Sequence, residues 1–254
     1  MNSMVKVDAF IGHNLLGNPA AVSISQDPID SEACQAIAIE NQLPVTAFVS
    51  LLDDKFYIRW FTPLSELPLC GHGTLAASSV IFQKKLNKAA EISFYSPKAG
   101  ELKARQEGEL VFINFPEKPL TLISCPSDLA VGLAGLQAKA VYDAGDRLLV
   151  ILENAQQVKD LKPKIEILKN LAHPGIVVSA PGDEVDFVSR TFYPNKPNWE
   201  DAVTGASHCA LVPYWSQQLK KERLHALQVS SRGGELFCVK QAERVLIGGR
   251  CCLF

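Results

Sequence analysis

Apolar and polar positions alternate with period two near the start of the chain. Val5, Val7 and Ala9 fall on one side and Lys6 and Asp8 on the other, so residues 5–10 predict a half-buried strand. Asn18-Pro19 reads as a turn feeding a second strand that runs to Ile24 and can pair with the first. The spacing becomes helical over Ser31–Asn41, with Asp30 or Ser31 as the cap. Strand-like runs return at 56–61, and three short ones at 91–94, 100–106 and 110–115 predict a meander. Pro116 and Pro119 mark a boundary. Beyond it the pattern predicts strands at 138–142, 148–152, 175–179, 185–192, 227–230, 235–240 and 244–247, and a helix at 163–171.

Part of this pattern occurs twice. Arg59-Trp60-Phe61-Thr62-Pro63 and Arg190-Thr191-Phe192-Tyr193-Pro194 both read R-x-F-x-P, 131 positions apart. Each closes a strand-like run and is followed by a loop, a glycine turn and a helix, expected at 73–84 and 207–220. Gly71 matches Gly205 and Ala76 matches Ala210 at a spacing of 134, which a second loop three residues longer explains. Lys84-Lys85 and Lys220-Lys221 read as solvated ends of these two helices. The chain is therefore expected to consist of two α/β halves.

Composition removes several function classes. Hydrophobic residues are 47% and charged residues 20%, the proportions of an ordinary globular chain. Lys and Arg number 25 against 27 Asp and Glu, a net charge of −2, so nucleic acid is not an expected partner. No window of 18 apolar residues predicts a membrane span. Residues 1–6 lack the basic-then-apolar order of a leader, so no signal peptide is expected. The seven cysteines are odd in number, form no C-x-x-C pair and sit mostly in apolar runs. Reduced thiols in a cytoplasmic protein are expected, and no metal site.

The two glycine turns carry the candidate chemistry. A loop that turns sharply into a helix presents free N–H groups at a positive dipole end, which suits a carboxylate or another oxyanion. Two such turns facing across a cleft would grip one small anion. They would also stabilise the charge that develops when a proton leaves a carbon beside a carbonyl. On a purely structural reading the glycines only cap helices. The first turn carries Cys70 and His72, a thiol and an imidazole suited to acid–base work at a helix N-terminus. Their structural reading is a buried Cys in an apolar loop and a His bonded to backbone. The second turn has Asp201 three residues before Thr204, with Ser207 and His208 after it. Asp201 either caps the helix or orients a proton-transfer group. His13, His173 and His225 have no evident partners and are assigned no role.

Six segments together resemble the phenazine-biosynthesis PhzF-like isomerases, which share a fold with diaminopimelate epimerase and proline racemase. They are VDAFIGHNLLGNPAAV (7–22), TAFV (46–49), RWFTP (59–63), LCGHGTLAA (69–77), EDAVTGASHCALVPYW (200–215) and SRGGEL (231–236), in order over nearly the whole chain. The resemblance implies an α+β fold of two pseudo-symmetric domains, each a β-barrel-like sheet around a central helix. It implies domains at 1–117 and 118–243, with the last strand, 244–254, returning to the first. It further implies an active site between the domains, a homodimer, no metal or organic cofactor, and proton transfer on a small carboxylated, amino-acid-like metabolite. By the same resemblance the family histidine falls on His72 and the family aspartate on Asp201. Cys70 stands at the first of the two cysteine positions used by the epimerases and racemases. Thr204 stands at the second, and its hydroxyl is too weakly acidic to replace a thiol unaided. Substrate contacts are implied for Gly71, Gly73, Thr74, Thr204, Gly205, Ala206, Ser207 and Asn18.

Two departures complicate that assignment. The family's isomerases usually read L-S-E before TAFV, the Glu being the main acid/base, whereas this chain reads Leu43-Pro44-Val45. Glu40 is expected to point elsewhere, and Glu66 is a carboxylate that could take the vacated place. The usual T-G-S-A is here Thr204-Gly205-Ala206-Ser207, with the hydroxyl displaced by one position. A cysteine hydrolase using Cys70 with His72 as its partner is a minor reading, and two functions chiefly compete. One is a cofactor-independent isomerase working through His72, Cys70 and Asp201. The other is a catalytically weakened member that binds a small carboxylate or a protein partner.

Overall fold

The computed structural model describes residues 4–53 and 55–254; residues 1–3, on which part of the leader expectation rested, and Asp54 lie outside the described residues. The chain divides into two compact units, Met1–Phe115 with Leu246–Phe254, and Pro116–Val245.

In the first unit, β1 (Met4–Ile11) and β2 (Asn18–Ser25) pair antiparallel, with Val5 opposite Val22 and Val7 opposite Ala20. Val5, Val7 and Ala9 are buried and Lys6 is exposed, as the alternation requires. Helix α1 (Ser31–Asn41) is capped by Asp30, whose carboxylate accepts from the Glu32 and Ala33 N–H groups at 2.9 Å. It carries the chain to β3 (Thr46–Leu52), parallel to β2. β4 (Lys55–Phe61) pairs antiparallel with β3 and with the short β5 (Glu66–Leu67). Helix α2 (Gly71–Gln83) crosses to β6 (Glu91–Ser96), which is parallel to β4. β7 (Gly100–Glu107) and β8 (Leu110–Pro116) complete the expected meander. The chain's last strand, β17 (Arg244–Leu253), joins β8 and pairs antiparallel with β1, closing an eight-strand barrel. Only His72 and Gln83 of α2 escape full burial. A helix buried on every side belongs inside its sheet, and α2 packs on β1, β2, β3 and β7.

The second unit repeats the plan. Its strands are β9 (Thr121–Ile123), β10 (Ala140–Asp143), β11 (Arg147–Ile151), β12 (Gly175–Pro181), β13 (Phe187–Phe192), β14 (Glu200–Asp201), β15 (Arg223–Gln228) and β16 (Gly234–Gln241). From β10 to β16 the pairings run antiparallel, parallel, antiparallel, parallel, antiparallel, the order found from β1 to β7. β14 lies beside β13 as β5 lies beside β4. Helix α3 (Ser127–Gly132) follows β9, and α4 (Ala155–Asp160) and α5 (Ile165–Leu168) span the first parallel crossover. A 3-10 turn (Gly205–Ser207) and α6 (His208–Leu219) span the second. The α+β class with two similar halves, each a sheet with its own central helix, is what the structure contains.

The R-x-F-x-P repeat has a physical basis. Arg59 Nε lies 2.8 Å from Glu66 Oε1, and its guanidinium stands 4.9 Å from the Phe61 ring centre. Arg190 repeats this with Glu200, at 2.6 Å and 2.9 Å, and stands 5.0 Å from the Phe192 ring centre. Each motif thus fastens a short strand to the barrel strand before it. Inside α6, Pro213 has no N–H to give the Cys209 carbonyl one turn back. That carbonyl instead accepts from the Lys118 N–H at 2.9 Å.

Two expected elements differ. The helix predicted at 163–171 is reduced to α5, after which Asn170 and Leu171 bond three residues back in tighter turns. Leu168 is pressed onto Gly132, where a Cβ would collide with it, and the chain must turn there to reach β12. The strand predicted at 227–230 is β15, which begins as soon as Lys220, at φ 52, ends α6. Ser230 then leaves the ladder to donate its hydroxyl to the Ala202 carbonyl at 2.7 Å.

Candidate active site

Cys70 is the N-cap of α2, in extended backbone conformation. Its carbonyl accepts from the Thr74 N–H at 3.1 Å and the Thr74 hydroxyl at 2.6 Å, which locks the first turn of the helix. Its Sγ lies 3.5 Å from His72 Nδ1, so the thiol and the imidazole meet. Cys70 is buried and His72 half-buried. Gly73 has no room for a side chain, since a Cβ there would lie 2.9 Å from Trp60 Cδ1, 3.2 Å from Val45 Cγ1 and 3.3 Å from Cys70 Sγ. Asn18 is fully buried at the start of β2, opposite Ala9.

In the second unit Asp201 is not a helix cap. Its Oδ2 accepts from the Thr204 hydroxyl at 2.6 Å, and Thr204, the N-cap of the 3-10 turn, makes no side-chain cap bond. The Thr204 N–H donates to Gln228 Oε1 at 2.8 Å. Gly205 is buried and Ala206 half-buried. Ser207 is fully buried, its hydroxyl 3.0 Å from Thr191 Oγ1 and accepting from Arg147 at 3.1 Å, so the displaced serine braces the turn from within.

The family model for phenazine biosynthesis-like proteins, PhzC-PhzF, matches residues 7–254. The chain belongs to this family. It is 40% identical over 98% of its length to a Pseudomonas aeruginosa protein named as an uncharacterized isomerase, covering 94% of that protein. A crystal structure of a PhzF-family protein from Enterococcus faecalis superposes with a TM-score of 0.94 at 38% identity, over 99% of this chain and 96% of that one. A probable proline racemase from Agrobacterium radiobacter shares the fold, with a TM-score of 0.64 at 11% identity, over 100% of this chain and 91% of that one.

Set in the PhzF-like pattern, Val45 fills the place of the usual Glu with a fully buried aliphatic side chain beside Gly73. Glu66 does not take over. It is held by Arg59 at 2.8 Å and Lys98 at 2.7 Å, and the Arg59 hydrogen bond keeps its carboxyl below the usual carboxylate range. Glu40 is exposed on α1. Of the histidines expected to lack partners, His225 contacts Glu235 at 2.9 Å and His173 contacts Asp143 at 3.2 Å.

Gln228 and Arg147 shape the second turn without having been singled out in the sequence, and His208 was named there without a role. Gln228 had a signal, because it falls on the inward side of the Leu224, Ala226, Gln228 alternation. His208 matches Thr74 in the repeat and does the same job, with Nδ1 3.0 Å from the Thr204 carbonyl. The carbonyl can only accept, so Nδ1 carries the proton of a neutral ring. Burial lowers the His208 pKa from 6.5 to about 4. A histidine with a depressed folded-state pKa adds stability above the unfolded value that is lost as pH falls through the folded one. Stability should therefore decline between pH 6.5 and about pH 4, by up to about 3 kcal/mol from this group. Denaturant titrations across that range measure it, and His208→Gln should flatten the decline.

Proposed function

We propose that this chain is a cofactor-independent isomerase that moves a proton on a small carboxylated, amino-acid-like metabolite. The observation that carries the reading is the Cys70–His72 contact at the N-terminus of a buried helix. One of the two groups takes a proton from a carbon beside the substrate's carbonyl or carboxylate. The electron pair moves to that oxygen, where N–H groups of the Gly71–Gly73 and Gly205–Ala206 segments offset the charge. The proton returns at another carbon, so nothing is oxidised or reduced. Asp201, its carboxylate oriented by Thr204, holds the substrate's polar end or accepts a proton from it. The isomerase name of the Pseudomonas aeruginosa relative favours this class of reaction. Carboxylated amino acids and their aromatic derivatives, incubated with the protein in deuterium oxide, should include one that gains deuterium at carbon. His72→Ala should slow that gain about a hundredfold. No incorporation into any compound would overturn the reading.

The aliphatic Val45 favours a second reading, a weakened member that binds a small carboxylate or a protein partner. A native protein that binds carboxylates but leaves them unlabelled, and that labels them once Val45→Glu is made, would decide for it.

A further inference from the structure

Gln228 is fully buried at the end of β15, and its side-chain amide is devoted to the second turn. Oε1 accepts the Thr204 N–H at 2.8 Å, while Nε2 donates to the Asp201 carbonyl at 2.7 Å and reaches Thr204 Oγ1 at 3.5 Å. These partners fix which end of the amide is which, since the N–H can only donate and the carbonyl only accept. With the Gln228 amide hydrogen directed at Thr204 Oγ1, the single threonine proton is left for Asp201 Oδ2, at 2.6 Å. Ser230 extends the cradle to the Ala202 carbonyl.

Among the described residues, the first unit shows no matching device at the corresponding strand position. Ala226 and Gln228 lie opposite Phe187 and Ser189, and Phe94 lies opposite Phe56 in the matching strand pair. The same register puts Ser96 in the place of Gln228. Its hydroxyl accepts from the Lys98 and Ala99 N–H groups of its own loop, each at 3.4 Å, and not from the α2 turn. The second turn is therefore clamped by a side chain outside it, whereas in the first Thr74 bonds the Cys70 carbonyl from within the turn.

We propose that Gln228 is a positioning residue for Asp201: its amide holds the 201–204 turn so that the aspartate carboxylate keeps one orientation. Its effect on turnover rests on the isomerase reading above; the clamp itself does not.

Two variants of matched length test it. Gln228→Leu removes all three bonds. Gln228→Glu keeps an acceptor for the Thr204 N–H but turns an acceptor toward the Asp201 carbonyl. Once protonated, the new Glu can donate to that carbonyl again. Amide exchange of the intact protein should show Thr204 opening about tenfold more readily in Gln228→Leu and near normally in Gln228→Glu. Unchanged protection in β12 serves as the folding control. Deuterium incorporation into the carboxylated amino acids should drop about tenfold or more in both variants at neutral pH, and recover on acidification in Gln228→Glu alone. Wild-type Thr204 protection in Gln228→Leu would overturn the proposal. So would identical behaviour of the two variants at every pH. If the wild-type protein incorporates no deuterium, the isomerase reading fails while Thr204 exchange still decides the clamp.

Discussion

Arg190→Met is expected to lower the unfolding free energy by about 3–5 kcal/mol, and Arg59→Met by about 1 kcal/mol. The two arginines occupy the same place in the repeat, so the difference must come from their surroundings. The Arg190 side chain is 10% exposed and binds both oxygens of Glu200, which is itself 17% exposed. Its remaining nitrogen donates to the Leu161 carbonyl at 2.7 Å and the Val158 carbonyl at 3.2 Å, at the end of α4. Met would cover Phe192 equally well but leave a carboxylate and the end of a helix without their donor. Arg59 is 26% exposed and donates to the Ser31 hydroxyl rather than to the backbone carbonyls at a helix C-terminus. Glu66 would keep Lys98 after its loss, and water reaches the site. Denaturant unfolding of the two variants, with probes in each unit, measures the contrast. Equal losses would show that the motif acts through its cation–ring contact alone.

Val45→Glu is expected to cost about 3–5 kcal/mol near neutral pH, although it introduces the Glu that the PhzF-like resemblance implies for this position. Val45 is fully buried, and the atoms facing it across Gly73 include the Trp60 ring and the Cys70 sulfur. A carboxylate there loses its water, and burial favours its protonated form. An acid whose folded-state pKa is raised is tolerated best below its unfolded pKa, with the penalty growing as pH rises through the folded value. The deficit relative to wild type should therefore shrink on acidification. Urea titrations at several pH values measure this, and a neutral or stabilising substitution would mean that the new side chain finds a donor or reaches water. The result also bears on chemistry, because under the isomerase reading proposed above the acid–base work falls to Cys70 and His72.

The barrel strands were legible because half-buried strands alternate, and Val5, Val7 and Ala9 announce their side without outside help. The duplication was legible because Arg59 and Arg190 each have a ring and a proline stop at fixed intervals. Its full extent was not, because Glu66 and Glu200 stand beyond loops of different length and become equivalent only at the spacing of 134. Helices α3 and α4 are single turns or little more, too short for a period to register. In the candidate site, Cys70 and His72 are neighbours in sequence, so their contact was open to prediction. The Asp201 backbone carbonyl, by contrast, takes its donor from Gln228, 27 residues later, through a hydrogen bond that no local pattern encodes.

Pro213 ties the interior of α6 to a distant stretch of chain. Because the Cys209 carbonyl takes its donor from Lys118, the helix is completed only when the segment entering the second unit lies against it. The next residue back, Glu117, donates its N–H to Glu243, at the other end of the same unit. The segment joining the two units is thus part of the second unit's hydrogen-bonded interior rather than a tether. A fragment cut after Lys118 would leave an acceptor stranded inside its own central helix, whereas one that keeps residues 116–118 carries the donor with it.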